Sequence, residues 1–120
     1  MAKGYEAHRE RLEAIARLGK PLARRAGRRC EWCEAEAGGE HGDLRPYDHV
    51  PDAEPSLDTL ALLCARCRGL IEGERADPRA LRFLEGAIWH EVAAVREPAV
   101  ALLRTLDADW AREALETAGL

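Results

Sequence analysis

At 120 residues the chain has the size of one domain, and with 47% apolar but only 5% aromatic residues its core must come from Ala, Leu and Val. It has no apolar run of about 18 residues and no charged start followed by an apolar stretch, so it reads as a cytoplasmic protein with no membrane partner. The net charge of −4 is uneven: residues 1–29 hold nine Lys/Arg against three Glu, and residues 30–120 hold nine Arg against nineteen acids, which argues against broad nucleic-acid affinity but leaves a basic arm.

In chain order, Tyr5, Leu12, Ile15 and Leu18 recur at helical spacing with opposite charges three or four apart between them, predicting an amphipathic helix that ends at Gly19. Pro21 is placed to open a second short helix, Pro21–Ala26, closed by Gly27. Arg24, Arg25, Arg28 and Arg29 then lead into Cys30-Glu31-Trp32-Cys33 and are close enough together to form a nucleic-acid patch. Their other reading is solvated helix surface paired with nearby Glu.

Gly38, Gly39 and Gly42 mark a loop or hairpin turn. Leu44–Val50 reads as a short edge strand because Pro46 interrupts it, and Pro51–Pro55 as loop. Leu57, Leu60, Leu62 and Leu63 approach Cys64-Ala65-Arg66-Cys67 as strand or turn, and Arg66–Glu72 should begin a helix at this second cysteine pair. Beyond Pro78, a three-to-four spacing of Leu81, Leu84, Ile88, Val92 and Val95 predicts helix, with Gly86 as a point where the run can break. Pro98 is expected to start a new helix carrying Val100, Leu103 and Leu106, and Asp107 to cap a last one, Ala108–Ala118. Trp32, Trp89 and Trp110 read as core residues.

All four cysteines lie in the two C-x-x-C pairs, with thirty residues between them. In a reducing compartment such pairs gather four thiolates around a metal rather than forming disulfides. A redox C-x-x-C sits singly at a helix start within a βαβ pattern, and the chain shows neither feature. The expectation is one structural Zn²⁺ held by Cys30, Cys33, Cys64 and Cys67. A tetrahedral site filled by four sulfurs is closed to substrate. The predicted fold is α+β and mainly helical, a small treble-clef (ββα) zinc unit framed by helices. It forms a single domain over 1–120, with basic N-terminal helices (1–29), the zinc unit (30–73) and C-terminal helices (74–120).

The sequence Cys30-Glu31-Trp32-Cys33, then Val50-Pro51, then Leu63-Cys64-Ala65-Arg66-Cys67-Arg68 resembles the N-terminal zinc-binding domain of proteobacterial members of the PhnA family. Trp89 followed by Glu91-Val92-Ala93-Ala94-Val95 extends the likeness, which runs from about Lys20 to Trp110. Members often carry a further small β domain, so this chain resembles the N-terminal module alone. The family takes its name from alkylphosphonate utilisation, and the name by itself establishes no reaction.

A second resemblance is to HNH endonucleases, in which a structural Cys₄ zinc lies beside a ββα active site. Asp48-His49-Val50-Pro51 matches the motif in which the His is general base and the Asp helps to hold a catalytic metal. Thr59 stands where that family places an orienting Asn, and Arg68 where it places the last metal ligand, so a cation replaces a donor. The plainer reading makes His49 a strand histidine hydrogen-bonded to Asp48. Together these point to a non-enzymatic zinc module that binds a protein or nucleic-acid partner, with an HNH-like nuclease of degenerate site as the alternative.

Overall fold

The computed structural model describes the backbone of residues 2–120, and side chains from residue 4 onward. Helix α1 (Ala2–Arg17) passes through a one-residue turn at Leu18 into α2 (Gly19–Ala26). The break falls one residue before the expected glycine: Gly19 begins α2, and Pro21 sits in its first turn, where its missing N–H has no partner to lose. Gly27 closes α2 in the left-handed conformation (φ 64°), and the Arg28 N–H turns back onto Ala23 O at 2.9 Å. Only the C-terminal end of the α1 stripe is covered. Ile15 and Leu18 pack around Leu22, Leu60 and Leu62, whereas Tyr5 and Leu12 are exposed.

Strands β1 (Leu44–Asp48) and β2 (Leu60–Cys64) form an antiparallel pair, with Leu44 opposite Cys64 and Asp48 opposite Leu60. Pro46 faces Leu62. Counting the ladder back from the His49 N–H···O Thr59 bond (3.0 Å), Pro46 falls on a non-hydrogen-bonded pair, so its missing N–H costs no inter-strand bond. Every residue of β2 is buried, because the strand is covered on both faces. Leu60 and Leu62 point towards α1 and α2, and Ala61 and Leu63 towards the C-terminal helices.

Helix α3 (Ala65–Ile71) leaves β2 directly. The predicted long helix after Pro78 is broken into a 3₁₀ turn (Pro78–Leu81), a four-residue helix α4 (Leu84–Ala87), and α5 (Ala93–Thr105). Contrary to expectation, Pro98 lies inside α5 and does not begin it. It withholds one N–H from the helix, and the buried Trp32 indole donates to the neighbouring Val95 carbonyl at 2.9 Å. Helix α6 (Asp109–Thr117) starts after Ala108, and Asp107 instead accepts from Arg112. The fold is thus α+β and mainly helical: a knuckle, a hairpin and a helix, flanked by helices on both sides.

Candidate metal centre

The first cysteine pair lies in a tight turn. Cys30 N–H donates to Ala35 O at 2.9 Å, and Glu34 N–H returns to Cys30 O at 2.9 Å. The turn needs a left-handed residue just after Cys33, and Glu34 supplies it at φ 65°. Backbone N–H groups of Cys33 and Cys64 point at Cys30 Sγ, and that of Ala35 at Cys33 Sγ, as in a metal knuckle. The second pair spans the β2–α3 junction, so Cys64 ends the strand and Cys67 lies in the first turn of the helix. The loop before β1 is pressed onto this junction. Arg66 N–H donates to His41 O at 3.1 Å, and a Cβ on Gly42 would lie 2.6 Å from Ala65 Cβ.

These two turns bring the four sulfurs within 4.8 Å of one another, with Cys33 Sγ and Cys64 Sγ 3.7 Å apart. Cys30, Cys64 and Cys67 are buried and Cys33 is half-buried. None is in a disulfide. Four thiols this close cannot ionise independently. Hydrogen bonds from Cys33 and Cys67 hold Cys30 far below the ordinary thiol range. The hydrogen bond to Cys30 pushes Cys33 up to about 11, and the bonds to Cys30 and Cys33 push Cys67 up as well. A dication held by the four sulfurs would remove this competition, because a coordinated thiol is deprotonated outright. The four cysteines can therefore hold a metal ion, and among the described residues no other group of three or more Cys, His, Asp or Glu donors converges in this way.

Asp48 and His49 are not brought together. Arg11 of α1 clamps the Asp48 carboxylate with two bonds (Nε to Oδ2 2.7 Å, Nη2 to Oδ1 3.0 Å) and also donates to Val50 O and Ala53 O. His49 turns to the opposite side, and its Nε2 lies 2.7 Å from Glu97 Oε2 on α5. The expected His49–Asp48 hydrogen bond is thus replaced by His49–Glu97, since successive strand residues face opposite ways. Thr59 is engaged within its own turn. Its Oγ1 accepts from Ser56 N–H (3.0 Å) and donates to Ser56 O (3.2 Å), closing the turn before β2. Arg68 is taken up by Asp43 at 2.9 Å. His49 and Glu97 flank an open, largely apolar groove of about 700 Å³ between β1, α3 and α5, with Leu70, Leu102 and Leu106 in its wall.

The arginine cluster also divides. Arg25 is only 21% exposed in its side chain and is committed to Glu31, so it leaves the expected patch. Arg24, Arg28 and Arg29 are exposed beside the first knuckle, and Arg29 reaches Glu36 at 3.1 Å. Sequence reasoning passed over Glu31, Glu97 and Arg11. Glu31 alone carried a signal, a carboxylate inside the knuckle six residues after an arginine. Glu97 and Arg11 meet their partners across 48 and 37 residues, beyond any local pattern. Comparison of the chain with protein-family models, with curated proteins and with solved structures finds no match.

Proposed function

We propose that the chain is a zinc-stabilised binding module, built like the N-terminal domain of the PhnA family that it resembles. One structural Zn²⁺ is held by Cys30, Cys33, Cys64 and Cys67. The observation that carries this reading is the sulfur geometry. A tetrahedral ion with Zn–S bonds of about 2.3 Å needs sulfurs about 3.8 Å apart. The Cys33–Cys64 separation is 3.7 Å. All-thiolate ligation favours zinc over the oxygen-seeking Mg²⁺ and Ca²⁺, and it leaves no open position for substrate.

The module acts by binding, in a reducing compartment such as the cytoplasm, and its partner-facing surface is the basic shoulder formed by Arg24, Arg28 and Arg29. Nucleic acid is the partner that this shoulder suits best. The HNH-like alternative is disfavoured because Arg11 already neutralises the Asp48 carboxylate that would hold a catalytic metal. A role in alkylphosphonate use follows from the family likeness alone.

Two measurements test the reading. Cobalt substitution should give the intense visible bands of a tetrahedral thiolate site, and a weak six-coordinate spectrum would contradict it. Plasmid incubated with the protein and Mg²⁺, Mn²⁺ or Ni²⁺ should remain uncut. Cutting that disappears in His49→Ala would install the nuclease instead.

A further inference from the structure

Trp89 read as a core residue in the sequence, yet its side chain stands on the surface, 62% exposed. Water contact over so large an apolar ring is unfavourable unless something covers it. The ring is not isolated. Arg82, Glu85 and Trp89 form one wall of a cleft of about 220 Å³, and Trp110 and Glu113 of α6 form the other. Trp110 and Glu113 are three apart and share one face of α6. Each wall therefore contributes one indole and one carboxylate.

A cation already uses half of this arrangement. The Arg82 guanidinium lies over the Trp110 ring, 5.2 Å from its centroid, and its Nε donates to Glu85 at 2.6 Å. The other half, Trp89 with Glu113, repeats the same chemistry, and Glu113 makes no ion pair among the described residues. An indole face with an adjacent carboxylate attracts a guanidinium through the ring quadrupole and through charge.

We propose that this cleft is a binding site for an arginine side chain of a partner polypeptide, which would lie on Trp89 and pair with Glu113. The acidic balance of residues 30–120 favours a basic ligand over an anionic one. Arg82 acts as an internal competitor, since it occupies Trp110 and Glu85 and narrows what a ligand can reach. The site lies on the C-terminal helices and does not depend on the metal reading.

The test is an NMR titration of the intact protein with N-acetylarginine amide, using N-acetylcitrulline amide as the uncharged counterpart and a short arginine-containing peptide as a second arm. The chain has three tryptophans, so its indole N–H signals can be assigned by single substitution. Trp89 and Trp110 should shift with a dissociation constant on the order of 1 mM. Trp32, buried and bonded to Val95 O, serves as the internal control and should not move. The peptide should bind more tightly than the free amide, as expected for a polypeptide ligand. Trp89→Ala should weaken binding at least about tenfold and Glu113→Gln several-fold, and both positions are exposed enough to leave the fold intact. Arg82→Ala should tighten binding several-fold by clearing Trp110 and Glu85. Equal shifts with citrulline, an unchanged or weaker Arg82→Ala variant, or silent Trp89 and Trp110 signals would each overturn the proposal. A peptide no tighter than the free amide would overturn its assignment to a polypeptide.

Discussion

Arg25 reaches from α2 to Glu31 inside the first knuckle and holds its carboxylate with two bonds, Nε to Oε2 at 3.0 Å and Nη2 to Oε1 at 2.7 Å. The pair seals the open edge of β2. Glu31 N–H donates to Leu62 O (2.8 Å), Glu31 Oε1 accepts from Leu62 N–H (2.8 Å), and Arg25 donates to the Leu60 and Leu57 carbonyls. Glu31 thus stands in for a third strand, and it does so within the turn that carries Cys30 and Cys33.

Removing Arg25 should therefore damage the fold. The Glu31 side chain is 2% exposed, so Arg25→Ala leaves a buried charge without its partner and should cost about 3 kcal/mol. Glu31→Gln should cost less, about 1–2 kcal/mol, because the amide oxygen still accepts from Leu62 N–H and the freed guanidinium can turn to water. Arg25→Lys should not restore stability, since an ammonium cannot reproduce the two-bond fork. Urea midpoints measure all three, and a wild-type midpoint for Arg25→Ala would contradict this account of the edge.

Arg24 and Arg28 should behave in the opposite way. Both are exposed, and replacing them with Ala should move stability by less than about 0.5 kcal/mol. If DNA binds at this shoulder, the double variant should lower the slope of log affinity against log salt by about 2, one for each lost phosphate contact. Fluorescence anisotropy across a salt series reads the slope. Binding with an unaltered slope would place the interface elsewhere.

The parts of the fold that were legible in the sequence are those fixed by local chemistry. The two cysteine pairs, the glycine that stops α2 and the short strand beginning at Leu44 all rest on residues within a few positions of one another. The errors arise where tertiary packing overrides a local preference. Pro98 sits in the second turn of α5, buried in the core with Ala94, Val95 and Ala99, and the helix continues through it to Thr105 at the cost of one N–H. Asp107 yields its cap position because the chain runs extended through Leu106 and Ala108 before α6 begins. Asp48 and His49 looked like a pair because they are neighbours, but a strand separates neighbours, and each found its partner on a distant helix. No periodicity distinguishes an arginine that will be buried from one that will not. Arg25 and Arg24 therefore read alike.

Gly42 should prove indispensable to the second knuckle. Its φ of 89° disfavours any side chain, and a Cβ there would also strike Ala65 beside Cys64. Gly38 has a similar φ of 77° but open space around it, so Gly38→Ala isolates the conformational cost, about 1 kcal/mol. Gly42→Ala should cost at least about 2 kcal/mol and weaken metal retention against a chelator, whereas Gly38→Ala should retain metal normally. Equal losses in the two variants would show that the close approach to Ala65 is unimportant.

The most direct test of the whole account is metal content followed by metal removal. Purified protein should contain one zinc per chain by elemental analysis, with affinity falling as pH is lowered because the thiolates must bind protons to release the ion. The four cysteines belong to the same core cluster as Trp32, Leu63 and Leu70, so stripping the zinc with a chelator should abolish cooperative thermal unfolding, and returning zinc should restore it. Cys64→Ser should reproduce the stripped state. Protein that carries no zinc, or that unfolds with the same cooperativity and midpoint once stripped, would contradict the claim that a metal holds this chain together.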